Sequence, residues 1–294
     1  HVSVTGRINL DMRDFAEDFI EVKVKDLRNL AKFLGVKREV LSIPETEIPE
    51  LWKRGEVDKL SAYSRSRAEA LMDVFHSLAE YSTQLSHLIG MPLDYVVTSA
   101  VGFRVEWFLM RHAHRVRELI PSRAEVPYAP YKGAMVLQPK VGLHEKVAVL
   151  DFKSMYPNIM IMYNVSPDTY VPPDEDVPDE EVNIAPEVGH RFLKKPPGMY
   201  KAVLSSLLEA RDSIREQLKK VPTDSPEYRV LDARQRVVKV LANATYGYAG
   251  WVGARWFVKP VAEAVAAWGR YVISETIKIA ESLGLQVIYG DTDS

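Results

Sequence analysis

Cysteine is absent from the 294 residues, which removes disulfides, thiolate zinc sites, iron–sulfur clusters and cysteine nucleophiles from consideration. Long apolar runs are missing too: no stretch reaches the ~18 residues a membrane helix needs, and no signal peptide opens the chain. Net charge is close to nil, at −2 from 38 Lys+Arg and 40 Asp+Glu. A uniformly basic protein that coats nucleic acid is therefore excluded, whereas a local basic groove is not. What remains is 47% hydrophobic and 27% charged residues, the composition of a folded globular chain rather than a disordered one. Residue 1 is His, and both ends read as sequence cut from the middle of a domain.

After a short extended start, residues 26–34 carry Leu27, Leu30, Ala31 and Leu34 at helical spacing. Residues 44–56 hold Pro44, Pro49 and several acids and read as a surface connection. From 59 to 89 apolar positions recur at Leu60, Ala68, Leu71, Phe75, Leu78 and Leu85, which predicts one or two helices ended by Gly90, Met91 and Pro92. A further helix is expected over 103–119. His76, His87, His112 and His114 fall in these helices without a ligand spacing. Residues 121–130 form a proline-bearing linker, and 135–137, 147–152 and 285–289 read as strands. Between Asp168 and Glu187 lie eight acids and four prolines with no Lys or Arg, which suggests a solvated loop. Residues 202–219 and 228–246 predict a helical hairpin across VPTDSPE, its first arm burying Leu204, Leu207, Leu208 and Leu218. A last helix covers 261–283. Over 201–260 eleven basic residues outnumber six acidic ones, a local basic patch that suits a phosphate-rich ligand or simply a solvated helix face.

Three constellations carry chemistry. In VLDFKSMYPNIM, Asp151 closes an apolar run and is followed by Tyr156 and Pro157. A carboxylate there is either a rigidly held metal ligand or the N-cap of a following helix. In RQRVVKVLANATYGYAG, Lys239, Asn243 and Tyr246 share one helix face, with Arg236 beside Lys239. Arg211 and Arg215, one turn apart on the preceding arm, suit the same anion. In VIYGDTDS, a strand would turn Asp291 and Asp293 to one side, where a divalent cation would relieve their repulsion; an acidic turn after an edge strand is the plainer reading. Together, the carboxylates and the basic helix are the equipment for phosphoryl or nucleotidyl transfer assisted by two metal ions.

The same segments resemble family B DNA polymerases of the archaeal replicative type. DFKSMYPNIM is similar to that family's first palm motif (DxxSLYPSI), KVLANATYG to its fingers motif (KxxxNSxYG) and YGDTDS to its second palm motif, in the family's order. YKGA, Tyr131–Ala134, resembles the YxGG element between exonuclease and polymerase domains. The resemblance implies an α+β multidomain fold: the end of an RNase H-like exonuclease domain over 1–90, connecting helices and linker over 91–134, a palm with an antiparallel sheet over 135–200 and 251–294, and helical-hairpin fingers over 201–250, with no thumb. It implies template-directed DNA synthesis in DNA replication, with primer–template DNA and dNTPs as partners and two Mg²⁺ ions held by Asp151 and Asp293. Asp291 would be a neighbouring catalytic carboxylate. Lys239, Arg211 and Arg215 would grip the triphosphate, with Lys239 also donating a proton to pyrophosphate. Tyr156 would be the gate against a ribose 2′-hydroxyl, and the amides of Met155 and Tyr156 would meet phosphate. Asn243, Tyr246 and Gly247 would line the nascent base pair, and Tyr131, Lys132 and Gly133 would contact DNA. A cytoplasmic location follows from the same resemblance.

This chain departs from the family pattern at Ala244, where Ser is usual, and at Ala134, in place of the second Gly of YxGG. The family's last exonuclease motif has a metal-binding Asp four residues after Tyr. Here Tyr63 is followed at that spacing by Arg67, with Ser66 before it. A cation cannot bind a cation, so proofreading is expected to be lost. With the thumb missing, the isolated chain is expected to be inactive. The alternatives are a non-catalytic structural polymerase subunit, or half of a split enzyme completed by a second polypeptide.

Overall fold

The computed structural model describes residues 6–12, 26–127 and 129–293; most of the extended start read at the N-terminus lies outside them. The chain forms two compact units, His1–Arg104 with Gln217–Val237, and Val105–Glu216 with Val238–Ser294.

In the first unit, α1 (Leu27–Phe33) starts at Asp26, whose side chain accepts from the Asn29 N–H at 2.8 Å and satisfies one of the helix's free donors. Residues 44–56 are not a bare connection. They contain α2 (Ile48–Lys53), with Pro49 in its first turn, where proline's fixed φ favours a helix, and with Leu51 buried. The long apolar repeat forms one helix, α3 (Val57–Ile89), ended by Gly90 at φ 75°, a left-handed conformation glycine adopts without steric cost. Then follow α4 (Leu93–Thr98) and α5 (Val101–Val116), of which only residues 101–104 belong to this unit. Ala70, Val74 and Leu78 of α3 meet Ala31, Val40 and Val97 in one apolar core. Arg104 is buried and donates to the carbonyls of Val96 (2.7 Å) and Val97.

In the second unit, α6 (Met155–Met162) packs against α9 (Lys259–Ser282). On α9 the buried small residues Ala262, Ala266 and Gly269 share one face, and Gly269 lies against Tyr156, Met155 and Ile159 of α6. Trp268 stacks on Tyr163 with ring centroids 4.3 Å apart. The acid-rich stretch keeps all eight of its acids exposed, as a solvated loop would, but it also contributes two short strands to a small antiparallel sheet. Its strands β1 (Tyr170–Val171), β2 (Val182–Ile184) and β3 (Arg191–Leu193) lie in the order β1–β3–β2. Phe192, fully buried in the middle strand, anchors it.

Two helices flank the connection 219–225: α7 (Met199–Leu218) and α8 (Pro226–Ala249). Leu204 and Leu207 are buried, whereas Leu208 and Leu218 are only half-buried. The N-terminus of α7 is capped from a distance: Asp168 accepts from the Met199 N–H at 2.9 Å, Ser166 from the Tyr200 N–H, and Asn164 from the Gly198 N–H at 2.9 Å. These bonds satisfy donors that a helix start leaves free.

The segments 135–137, 147–152 and 285–289 are not strands. Val136 forms an isolated bridge to Asp291, and single bonds run from the Leu137 N–H to the Gly290 carbonyl (2.8 Å) and from the Lys140 N–H to the Ile288 carbonyl (2.9 Å). Pro139 interrupts this pairing because it has no N–H to donate. Val149 and Leu150 are 83% and 73% exposed, so the apolar run that suggested a buried strand has nothing packed on it.

Candidate functional site

The first motif enters the site through the start of α6. Ser154 is its N-cap, at φ 52° and with no side-chain capping bond. Asp151 lies three residues earlier and is exposed, so the capping reading of Asp151 does not hold. The first α6 amide to be bonded backwards is that of Asn158, to the Ser154 carbonyl. The N–H groups of Met155 and Tyr156 thus belong to the open first turn, where a helix presents partial positive charge.

The last motif is a tight turn rather than a strand. The Asp293 N–H donates to the Asp291 carbonyl at 2.7 Å around Thr292, which sits at φ 60°. Asp291 accepts from the Thr292 hydroxyl (2.8 Å) and the Tyr289 hydroxyl (3.3 Å). The first and last motifs are joined through the backbone, the Phe152 N–H donating to the Asp293 carbonyl at 2.9 Å. The segments carrying Asp151 and Asp293 are therefore neighbours although 142 positions separate them. Nearby cations are committed elsewhere. Lys153 pairs with Asp212 at 2.9 Å, and Lys132 and Arg270 pair with Glu187 at 3.1 and 2.8 Å.

Among the described residues no three His, Asp or Glu side chains are gathered as a cation-binding group. The donor chemistry nevertheless suits Mg²⁺, which takes one or two protein carboxylates and completes its shell with water and substrate phosphate.

The fingers motif arrives on α8. Lys239, Asn243 and Gly247 are exposed along it, and Tyr246 is half-buried. Tyr246 stacks on Tyr156, centroids 4.1 Å apart and planes at 24°. Burial pushes the Tyr246 hydroxyl well above its ordinary pKa, and a hydrogen bond with Tyr131 adds to this. Burial also raises Tyr156, followed by the negative charge of Asp293 and smaller effects of Tyr131 and Asp291, with Arg270 opposing. One ring thus feels the last motif, the linker tyrosine and α9 at once. On α7, Arg211 is half-buried and Arg215 exposed; burial and the neighbouring Arg215 charge lower the Arg211 pKa.

Sequence reasoning missed two buried devices behind these residues. Arg270, 5% exposed, binds Glu187 through Nε and Nη2 and donates Nη1 to the carbonyls of Lys132 (2.8 Å) and Gly133 (2.6 Å). It fastens YKGA to α9 through the backbone, while Lys132 turns its ammonium to Glu187. Glu106, 1% exposed, accepts from the Arg123 guanidinium, the Tyr248 hydroxyl (3.1 Å) and the Arg255 N–H (3.0 Å), tying the end of α8 to the turn after it. A charged residue inside an otherwise apolar helical stretch, as at Arg270 and Glu106, was the available signal.

Residues 91–294 match the profile of DNA polymerase family B. The chain is 50% identical over 301 residues to "DNA polymerase 2" of Aeropyrum pernix, covering 100% of this chain and 37% of that protein. It is 44% identical over 291 residues to a DNA polymerase of Archaeoglobus fulgidus, covering 99% of this chain and 36% of that protein. The solved structure of the family B DNA polymerase from the hyperthermophilic archaeon Pyrobaculum calidifontis matches with a TM-score of 0.85 at 49% identity, over 99% of this chain and 39% of that one. The chain thus spans a little over a third of the length of these relatives. With its helix-rich fold, small antiparallel sheet and three motifs in order, it belongs to the family B DNA polymerases.

Proposed function

We propose that this chain carries the nucleotide-adding centre of a template-directed DNA polymerase, joining dNTPs to a primer 3′-hydroxyl on a DNA template. The observation that carries the reading is the meeting of its motifs. The Phe152 N–H bonds the Asp293 carbonyl, and Tyr156, four residues beyond Phe152, stacks on Tyr246 of the fingers motif. Asp151 and Asp293 are the residues that would hold Mg²⁺, with Asp291 beside them. When bound, the metal supplies charge neutralisation and a more acidic hydroxyl at the reacting phosphate.

The chain's own residues do the rest. Lys239, Arg211 and Arg215 bind triphosphate oxygens, and Lys239 carries a proton for the departing pyrophosphate. The open amides of Met155 and Tyr156 take a phosphate oxygen at the N-terminus of α6. Asn243, Tyr246 and Gly247 border the new base pair, and Tyr156 excludes the 2′-hydroxyl. Tyr131, Lys132 and Gly133 guide DNA. The domain division follows the same reading: an exonuclease remnant over 1–90, connecting residues 91–134, palm over 135–200 and 251–294, and fingers over 201–250.

Arg67, whose guanidinium lies 5.4 Å from the Tyr63 ring centroid on α3, stands where an exonuclease needs a carboxylate, and proofreading is lost. A cytoplasmic location is part of the proposal; among the described residues no helix is long and apolar enough to cross a membrane.

Primer extension tests the reading. The 294 residues by themselves, with Mg²⁺ and dNTPs, are expected to extend nothing, since they match a little over a third of their polymerase relatives. The same chain grafted in place of the matching third of the Aeropyrum relative extends the primer, and its Asp293→Asn variant does not. A graft that folds but stays inactive would favour a structural subunit. Extension that survives Asp293→Asn rejects the metal assignment.

A further inference from the structure

We propose that Gly269 is a specificity-determining position for the sugar of the incoming nucleotide, an inference that rests on Tyr156 facing that sugar. Three tyrosines from three separate motifs form one connected column. At one end the Tyr131 hydroxyl lies against Gly250, where an added Cβ would stand 2.5 Å from it. Tyr131 is hydrogen-bonded to Tyr246, and Tyr246 stacks on Tyr156 at 4.1 Å. At the other end the Tyr156 ring edge meets Gly269, where an added Cβ would stand 3.1 Å from Cε1 and 3.4 Å from Met155 Cε.

The column therefore runs between two glycines and has little room to slide. Gly269 lies inside α9 and is not among the glycines at positive φ, so its backbone does not call for glycine. A glycine inside a helix costs about 1 kcal/mol relative to alanine, and the neighbouring small positions of the same helix are alanines. What glycine alone permits here is the observed position of the Tyr156 ring. A methyl group at 269 displaces that ring by a few tenths of an ångström, away from α9. The displacement alters the space left for the sugar and for a 2′-hydroxyl.

The test is equilibrium binding of dATP and of ATP, each with Mg²⁺, to the purified chain. Wild type is expected to prefer dATP. Gly269→Ala is expected to change the dATP-to-ATP affinity ratio by roughly tenfold, the scale on which pockets sense one methyl-sized change. In a Tyr156→Ala background, Gly269→Ala is expected to leave the ratio alone, because the ring through which it acts is gone. A loss of packing by itself would not produce that dependence. Should Gly269→Ala fail to fold, Gly250→Ala presses the column from its other end and must change the ratio instead.

The proposal is overturned if wild type discriminates while the folded glycine variant keeps the same ratio, or if the effect persists without Tyr156. A wild-type chain that binds both nucleotides equally overturns the reading of Tyr156 itself, and this inference with it.

Discussion

The tyrosines of the site are wedged among packed helices, whereas its aspartates ride on segments held by a few backbone bonds. Tyr156 has a stacked ring on one face and a glycine at its edge, and Tyr246 adds a hydrogen bond to Tyr131. Asp151 and Asp291 are exposed and Asp293 half-exposed, with neighbouring cations paired to other acids. The difference follows from the forces involved. Aromatic rings gain by leaving water at roughly 25 cal/mol per Å² and by stacking, so the chain assembles that half unaided. Carboxylates brought together repel one another, so on the proposed reading that half would close around positive charge from outside.

The sharpest way to break the contrast is to remove what braces the tyrosine half. Arg270→Ala orphans the Lys132 and Gly133 carbonyls and leaves Glu187 without its main partner. Thermal or urea unfolding is expected to show a loss on the order of 1–2 kcal/mol, because the guanidinium is buried but its Glu187 partner is 43% exposed. A variant within 0.5 kcal/mol of wild type, an order-of-magnitude bound for neutral surface changes, would mean that the tyrosine half stands without this brace.

A gentler probe of the same brace is pH. Hydrogen bonds from Arg270 and then Lys132 hold the Glu187 carboxyl below its ordinary pKa of 4.5. A depressed folded value means that its contribution is present above the unfolded value. It is lost as pH falls from about 4.5 through the lower folded value. Melting temperatures measured from pH 6 to pH 3, on the order of the usual carboxylate window, should fall more steeply for wild type than for Glu187→Gln. Because Glu187 is partly exposed, the extra slope is expected to be small and to shrink in high salt.

The smallest effect is expected on the aspartate side. Without divalent metal, Asp151→Asn should leave stability within about 0.5 kcal/mol of wild type, since no partner among the described residues is lost and a negative charge is removed. With Mg²⁺ and dNTP added, wild type should gain thermal stability through ligand linkage and the variant should not. A strongly destabilised metal-free variant would show that the aspartate half is prebuilt after all.

Much of the helical framework could be read directly. The spacing of Phe75, Leu78 and Leu85 with Gly90 after them locates α3, because a helix writes its period every three to four residues. Leu71, however, is exposed, and Ala70, Val74 and Ile89 complete the buried face. Pro226, within VPTDSPE, likewise marks the start of α8. The strands could not be read, because a ladder depends on a partner elsewhere in the chain. Residues 135–137 looked extended, yet their pairing with 288–292 is broken by Pro139 and stays a bridge. The acidic stretch could be read as exposed, but what its two ends bind could not. Asp168 is a helix cap and Glu187 an ion-pair partner, but their partners lie 31 and 83 positions away.

Of the site, the sequence by itself determined the chemistry: which carboxylates, cations and rings are available, and that Lys239, Asn243 and Tyr246 share a helix face. That information is local, set by composition and by the period of a helix. Only the tertiary structure decided that Tyr131 touches Tyr246, that Tyr156 ends on Gly269, and that Asp291 and Asp293 flank a turn. Those relations depend on how remote volumes fit together, and a missing side chain on α9 matters only once α6 has packed against it.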